Sequence, residues 1–108
     1  MPYSVCIVFI EAPIFSKYIY GYLDDESYSA LQQALALRPE AGKIIPGSGG
    51  LRKIRWAGSG RGKRGGLRII YYWLQEDGQI WLLTVYAKNE AENIPNSVLK
   101  LIRKEMEK

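Results

Sequence analysis

The stretch of sequence that most restricts the fold is Leu67–Leu74, in which every side chain except Arg68 is large and apolar or aromatic. Successive side chains of a strand point to opposite faces of a sheet, so a run that is apolar at both sets of positions is typical of a central strand. Residues 79–86 repeat this composition after Asp77 and Gly78, a pair that favours a turn between strands. The sequence therefore predicts two neighbouring antiparallel strands.

Two further segments have strand character. In residues 51–57, apolar side chains alternate with Lys53 and Arg55, as expected of a strand with one buried face. Residues 3–10 are rich in β-branched and aromatic side chains and are predicted to form an opening strand. The glycines and Pro46 between residues 42 and 50 predict a loop that leads into residues 51–57. The last three strands then form an antiparallel meander.

The remaining segments have the spacing of amphipathic helices. Pro13 suits a first helical turn, and a helix is predicted from there to about Leu23. Its apolar face consists of Ile14, Phe15, Tyr18, Ile19 and Tyr22. Asp24 or Asp25 is predicted to cap a second helix that Pro39 terminates. A last helix is predicted to open at Pro95 and Asn96, with an apolar stripe made of Val98, Leu101, Ile102 and Met106.

This order of elements predicts an α+β fold of the form β-α-α-β-β-β-α. We expect residues 1–108 to form one domain, in which the helices pack on one face of a small twisted antiparallel sheet and leave the other face free. Hydrophobic residues make up 47% of the chain and charged residues 24%, a balance that favours a folded domain over a disordered one.

The apolar run at residues 5–10 is not predicted to be a signal peptide or a membrane span. It has no basic flank, is followed by Glu11, and is too short for a signal-peptide core or a membrane span. The chain has a single cysteine, which excludes an internal disulfide. We therefore expect a cytoplasmic protein with no membrane partner.

Positive charge is concentrated in the middle of the chain. The net charge is only +4, but no acidic residue occurs between Glu40 and Glu76. That interval contains eight of the 15 basic residues, namely Lys43, Arg52, Lys53, Arg55, Arg61, Lys63, Arg64 and Arg68. Such clustering is expected of a protein that binds a polyanion such as nucleic acid.

The strand pattern brings part of this charge together. If the apolar side chains of residues 51–57 face the core, Lys53 and Arg55 face the opposite side of the sheet, where Arg68 and Tyr72 join them. The next strand ends with two more polar residues, Tyr86 and Lys88. Three cations lie in the glycine-rich loop at residues 58–66, namely Arg61, Lys63 and Arg64. Cations that bind phosphate, beside tyrosine rings that stack on bases, predict a cleft for single-stranded RNA.

Residue content excludes several kinds of chemistry. The chain has no histidine, so serine and cysteine triads, imidazole metal sites and histidine-pair ribonuclease chemistry are excluded. The carboxylates at residues 24–26 begin a helix, where capping is their expected role, so neither a metal site nor a cofactor is predicted. Residues 60–65 match a dinucleotide-binding pattern, but a strand rather than a helix follows them. The Walker pattern fails at Ala57 and Arg64.

Three segments carry a family resemblance. They are residues 47–55 (GSGGLRKIR), 60–72 (GRGKRGGLRIIYY) and 85–90 (VYAKNE), and the opening Phe9-Ile10-Glu11 precedes a proline-containing helix. In this order they resemble HigB-type toxins of the RelE/ParE superfamily, and the likeness extends over nearly the whole chain. The resemblance implies a RelE-like microbial RNase fold and a type II toxin–antitoxin system. It also implies that the toxin cuts messenger RNA in the ribosomal decoding site.

The resemblance also implies roles for particular residues. The nucleophile would be the RNA's own 2′-hydroxyl, so no metal is required. The family's catalytic basic residues correspond to Lys53, Arg55 and Arg68, with Lys53 as the base and the arginines on the phosphorane oxygens. Tyr86 and Lys88 fall near the scissile step, and the general acid is unassigned. RNA contacts are implied for Arg52, Arg61, Lys63, Arg64 and Tyr72.

The implied partners are a cognate helix-turn-helix antitoxin, the ribosome and messenger RNA. The toxin itself would be monomeric, and oligomeric only with its antitoxin. Two alternatives stay open. A ParE-like toxin of the same fold would inhibit gyrase without cutting RNA, although the presence of Lys53, Arg55 and Arg68 argues against it. A non-catalytic nucleic-acid-binding module would neither cut RNA nor arrest growth.

Overall fold

The structure, a computed structural model, describes residues 7–57, 66–88 and 94–106. In chain order these residues form a strand, two helices, four strands and a helix. The elements are β1 (Val8–Glu11), α1 (Pro13–Tyr22), α2 (Asp25–Leu37), β2 (Lys43–Ile44), β3 (Arg52–Trp56), β4 (Leu67–Leu74), β5 (Gln79–Ala87) and α3 (Asn96–Glu105). The predicted α+β class is confirmed. The short β2 is an additional strand, within the segment predicted as a loop.

The five strands belong to one sheet, in the order β1-β5-β4-β3-β2. The strands β3, β4 and β5 form the predicted antiparallel meander. By contrast β1 pairs with β5 in parallel, with Val8 opposite Gln79. The central position of β4 follows from its composition, because a strand buried on both faces needs neighbours on both edges and cover on both sides.

The turn between β4 and β5 depends on a glycine. A 3₁₀ turn at Gln75–Asp77 follows β4, and Gly78 then has a φ of 65°, in the left-handed region that other L-residues disfavour. The Gly78 carbonyl accepts a hydrogen bond of 2.9 Å from the amide of Val8. The predicted turn at Asp77 and Gly78 is confirmed, and it also fixes the start of β1.

One face of the sheet is covered by α1 and α2. The buried cluster there consists of Phe15, Ile19, Leu23, Tyr28, Leu31, Leu35, Leu67, Ile69, Tyr71, Ile80, Leu82 and Val85. Asp24 caps α2 as predicted, since its carboxylate accepts from the Ser27 amide at 2.8 Å. Ile54 and Trp56 pack against the same cluster, so the orientation predicted for β3 is confirmed.

The third helix lies on the opposite face. Leu99 of α3 is buried with Leu51, Ile70, Leu83 and Tyr86, and Ile70 points away from its neighbours in β4. The prediction that all helices share one face and leave the other free is therefore wrong. Because Leu67–Leu74 carries apolar side chains on both faces of the sheet, each face has to be covered by a helix.

The buried stripes of two helices also differ from those predicted. In α3, Val98 is 41% and Leu101 64% exposed, because Leu99 is the residue that enters the core. In α1, Ile14 and Tyr18 are about half exposed, so the apolar face of this helix is narrower than its spacing predicts. Among the helices in the described ranges, none combines the length and the hydropathy that a membrane crossing requires.

Candidate active site

The basic cluster is built on neighbouring strands of the sheet. Strand pairing sets Arg55 opposite Arg68, and Arg68 opposite Tyr86, so these side chains form one row across β3, β4 and β5. Directly opposed side chains have Cβ atoms about 5 Å apart. Lys53 lies on the same face two residues before Arg55, and it is opposite Lys43 of β2. The sheet thus brings Lys53, Arg55, Arg68 and Tyr86 together, on the face that carries α3; we call these four residues the cationic row.

The members of the cationic row differ in exposure. Arg68 is 6% and Tyr86 8% exposed, whereas Lys53 is half-buried and Arg55 is exposed. The Arg68 guanidinium donates to the Leu67 carbonyl at 3.5 Å. Burying a cation opposes folding unless hydrogen bonds or an opposite charge compensate, and like charges directly opposed destabilise a sheet. An anion bound over the row would relieve both effects.

Lys88 directly follows β5, two residues beyond Tyr86. Its amide donates to the Gly66 carbonyl at 3.2 Å, which holds it beside the start of β4. Gly66 has a φ of 60°, and a Cβ added there would lie 2.8 Å from the carbonyl oxygen of Trp56. Only glycine fits this crossing of the chain. The position of Lys88 therefore depends on Gly66, which is not one of the basic residues.

A cavity of about 290 Å³ lies beside the cationic row. Its walls come from the sheet, from the loop after β2 and from the start of α3, and they are Ile45, Pro46, Lys53, Ile70, Tyr86, Ile94, Asn96 and Leu99. The hydroxyl of Tyr86 is buried and has no hydrogen-bond partner among the described residues. Burial raises the pKa of Tyr86 above its ordinary value, and the charge of Arg68 opposes this shift. The hydroxyl is therefore protonated at neutral pH.

A groove of about 580 Å³ also borders Lys53. It is formed by β2, β3 and the segments that flank β2, and its walls are Ala41, Lys43, Ile44, Ile45, Pro46, Lys53, Ile54 and Arg55. Because the cavity and the groove share three walls, the two spaces adjoin at Ile45, Pro46 and Lys53.

Arg52 does not belong to the cationic row. It is paired with Tyr71 and lies on the face of α1 and α2, where its guanidinium donates to the carbonyl oxygens of Gly42 at 2.7 Å and Glu40 at 3.2 Å. The Tyr71 hydroxyl donates to the Pro39 carbonyl at 2.6 Å and accepts from the Gly42 amide at 2.8 Å. These bonds fix the segment between α2 and β2. In this structure Arg52 therefore stabilises the fold and does not face the cationic row.

Tyr72 shares the sheet face of Arg68 but is four residues further along β4, a separation of about 13 Å. The guanidinium carbon of Arg103 lies 4.5 Å from the centre of its ring. Arg103 also donates from Nε to the Gly49 carbonyl at 3.3 Å. The structure therefore does not bring Tyr72 into the cationic row. The predicted contacts Arg61, Lys63 and Arg64 lie outside the described residues.

The cavity walls contributed by α3 were missed by the sequence analysis. Asn96 was predicted only as a helix start, and Leu99 was not assigned to a buried stripe. Because α3 was expected on the face of the other two helices, these two residues were not expected near the basic residues of the sheet. The available signal was the two-sided apolar character of Leu67–Leu74, which requires an element on each face of the sheet.

The chemistry of the cationic row suits a phosphodiester. Guanidinium groups form paired hydrogen bonds with phosphate oxygens and stabilise additional negative charge on them. An amine and a neutral phenol are groups that transfer or donate protons. Within the described ranges, no three acidic or cysteine side chains come close enough together to hold a metal ion.

The sheet order, the helical hairpin on one face and the last helix on the other define a RelE-like α+β fold. One matching structure is a double arginine-to-alanine variant of the E. coli toxin RelE in the free state, with a TM-score of 0.58 and 17% identity over 90% of this chain and 96% of that chain. Another is the intact E. coli RelBE toxin–antitoxin complex, with a TM-score of 0.51 and 17% identity over 76% of this chain and 96% of that chain. No family model matches the chain. At this identity the likeness establishes the fold, and the predicted RelE-like fold is confirmed.

Proposed function

We propose that this protein is the toxin of a type II toxin–antitoxin system, of the HigB type, and that it cuts messenger RNA on the ribosome. The proposal rests on the cationic row, in which Arg55, Arg68 and Tyr86 are aligned across three strands with Lys53 beside them. Cleavage of RNA by its own 2′-hydroxyl needs cations at the phosphate and groups that move protons, and this row supplies both.

The proposed reaction is attack of the 2′-hydroxyl on the adjacent phosphorus. Lys53 takes the proton of the attacking hydroxyl, a new P–O bond forms, and the bond to the 5′ oxygen breaks. The products are a 2′,3′-cyclic phosphate and a 5′-hydroxyl end. Arg55 and Arg68 hold the non-bridging oxygens and stabilise the extra charge of the phosphorane. Lys88 and Tyr86 are the candidate proton donors to the leaving oxygen.

We further propose that a cognate helix-turn-helix antitoxin controls the protein in the cytoplasm. A chain of the same fold has been solved within a toxin–antitoxin complex, which supports a partner of this kind. The toxin would be monomeric without it. The loop residues Arg61, Lys63 and Arg64 are proposed to bind phosphates of messenger or ribosomal RNA.

The test is a cleavage assay in a translating extract, with 5′ ends mapped by primer extension. The wild type is expected to cut only messages that are being translated, and the double variant Lys53→Ala, Arg68→Ala to cut none. The matched control Arg38→Ala removes an exposed arginine at the end of α2 and is expected to cut like the wild type. Cutting by the double variant at the wild-type rate would contradict the proposed site.

Two other outcomes favour the alternatives. Growth arrest on expression, without RNA cleavage by the wild type, would favour a ParE-like gyrase inhibitor, and a DNA supercoiling assay would then identify the target. Neither arrest nor cleavage would favour a non-catalytic nucleic-acid-binding module.

A further inference from the structure

Lys43 adds a cation to the sheet face that carries the cationic row. It is the first residue of β2, is exposed, and lies directly opposite Lys53 in the antiparallel pair of β2 and β3. Directly opposed residues point to the same face, with Cβ atoms about 5 Å apart. Lys43, Lys53 and Arg55 are all walls of the groove of about 580 Å³. Among the described residues this groove is thus lined by three cations, and only Lys53 and Arg55 belong to the cationic row.

The residue before Lys43 is held from the opposite face of the sheet. Gly42 is buried, its amide donates to the Tyr71 hydroxyl at 2.8 Å, and its carbonyl accepts from the Arg52 guanidinium at 2.7 Å. The same hydroxyl donates to the Pro39 carbonyl at 2.6 Å, and Tyr71 is 0% exposed. We call Tyr71 and Arg52 the clamp. Because the clamp binds both the amide and the carbonyl of residue 42, it sets the place where β2 begins.

The clamp leaves no room for a side chain at residue 42. A Cβ added to Gly42 would lie 2.8 Å from the ring and the hydroxyl of Tyr71, and 3.0 Å from the carbonyl oxygen of Lys53. The main chain therefore passes closely between these two residues just before it reaches Lys43. A strand of two residues has few hydrogen bonds of its own and opens easily when nothing else holds it. The clamp is such an additional attachment.

A lysine whose backbone is fixed binds an anion at a lower entropic cost than one on a loose segment. The repulsion between Lys43 and Lys53 in the free protein is offset when a phosphate lies between them. Lys43 and Arg55 are diagonal neighbours, with Cβ atoms about 7–8 Å apart. A phosphate at Lys43 is therefore distinct from the scissile phosphate that is proposed to lie at Arg55 and Arg68.

We propose that Lys43 binds the RNA phosphate next to the scissile one, and that Tyr71 and Arg52 are positioning residues that hold this lysine beside Lys53 from the other face of the sheet. The inference rests on the proposed function, because it takes RNA as the ligand. It gives a buried tyrosine on the face of α1 and α2 an effect on RNA binding at the face of α3. The contact does not depend on the base, since a phosphate carries no sequence information.

The salt dependence of RNA binding tests the lysine. A labelled 2′-O-methyl hexanucleotide cannot undergo 2′-hydroxyl attack, so its affinity can be measured by fluorescence anisotropy from about 50 to about 200 mM salt. Lys43→Ala is expected to weaken binding about two- to fivefold at the lowest salt. It is also expected to lower the slope of log affinity against log salt by about 0.7, because one phosphate contact is lost. Lys43→Arg keeps the charge and is expected to keep the slope.

A double-mutant cycle tests the clamp. Tyr71→Phe keeps the ring but removes the hydroxyl, so that the buried Gly42 amide loses its partner and β2 is held less firmly. This variant is expected to lower the affinity and the salt slope of the wild type. In the Lys43→Ala background it is expected to change neither, because it acts through that lysine. Arg52→Ala is expected to give the same pattern, and it tests the clamp even where Tyr71→Phe fails to fold.

Two control variants separate positioning from a general loss of stability. Tyr28→Phe removes another buried hydroxyl on the same side of the sheet, but the partner of that hydroxyl is Glu11 at the end of β1. Lys17→Ala removes an exposed lysine from α1. Both are expected to keep the wild-type affinity and slope. Circular dichroism and urea unfolding establish that each variant is folded under the conditions of the binding assay.

The outcomes distinguish this inference from the proposed nuclease. An unchanged salt slope in Lys43→Ala would overturn the inference, and so would a wild type that does not bind the hexanucleotide. Equal losses from the clamp variants with and without Lys43 would reject the positioning role. A slope that depends on Lys43 and on the clamp, without cleavage of translated message, would support the inference and reject the nuclease.

Discussion

Arg55 and Arg68 lie directly opposite each other on neighbouring strands, and Lys53 lies opposite Lys43 in the next row. Two like-charged pairs side by side are unfavourable for a sheet, because each pair adds repulsion to the folded state. A solvated sheet face with no ligand gains nothing from such a pattern. The RNA ligand of the proposed function would offset this repulsion.

The replacement Arg55→Thr tests this conflict between binding and stability. It is expected to raise the free energy of unfolding by about 0.2–1 kcal/mol, because it removes one like charge and introduces a β-branched residue into the strand. Urea unfolding at low and high salt measures the gain, which salt should reduce. The charge-retaining control Arg55→Lys is expected to show no gain. A loss of stability in Arg55→Thr would mean that the opposed arginines do not repel each other.

At this scale the sequence predicted the cationic row well. Strand parity alone sets Lys53 and Arg55 on the face of Arg68, and the structure has them there together with Tyr86. The strand pattern did not show that Arg52 and Tyr72 lie outside the cationic row. Parity does not show that a side chain reaches back to main-chain carbonyls, as Arg52 does, nor that another element covers a ring, as Arg103 covers Tyr72.

Helix α3 is attached to the sheet by a small apolar contact and by one arginine. Its buried contact with the sheet is Leu99, with the half-buried Ile102 and Met106 beside it. Arg103 adds a polar contact, because its guanidinium stacks on Tyr72 and donates to the Gly49 carbonyl at 3.3 Å. A helix held by few contacts opens locally more easily than the sheet below it.

The variant Arg103→Ala is expected to lower the free energy of local opening of α3 by about 0.5–1 kcal/mol, because it removes the stacking contact. Hydrogen exchange of the α3 amides measures this change. The control Lys104→Ala, at the next and exposed position, is expected to leave exchange unchanged. Equal acceleration of exchange in α3 and in β4 would show that Arg103 stabilises the whole fold instead of the helix.

The elements themselves were predicted unevenly, for physical reasons. The bounds of β4 and the start of α1 agree with their sequence signals, because these signals are local. The two-residue β2 has no such signal, since it exists only through its pairing with Lys53 and Arg52 of β3. The face chosen by α3 depends on which surface the other helices leave uncovered. That is a property of the assembled sheet and not of the helix.

For the molecule as a whole, buried tyrosines set the response to alkaline pH. Burial raises the pKa of Tyr71 and Tyr86, and burial together with the hydrogen bond to Glu11 raises the pKa of Tyr28. The carboxylate of Glu11 accepts from Tyr28 and from Ser16, both at 2.5 Å, and so links β1 to both helices. These three tyrosines remain neutral in the folded protein at a pH at which unfolded tyrosine ionises.

A fall in stability is therefore expected above about pH 10, the pKa of tyrosine in an unfolded chain. Because the folded-state pKa values are raised, the unfolded state releases protons first, and the free energy of unfolding decreases as pH rises. Urea unfolding between pH 8 and 11 measures the decrease, and absorbance at 295 nm follows the ionisation. Tyr28→Phe is expected to make the decrease smaller, whereas Tyr18→Phe, an exposed control, is not. A stability profile equally steep in both variants would reject this origin.

The parallel pairing of β1 with β5 has a consequence for the time course of folding. The two are the first and the last strand of the described chain, so their contact closes a long loop, which is slow to form because of its entropy. We expect the helical hairpin to cover Ile69 and Tyr71 only after that contact has formed, so that these side chains are accessible to other chains until then. We expect the yield of refolding to fall with protein concentration for this reason. The interval before the first strand reaches the last, rather than the final stability, then decides how much of the protein aggregates.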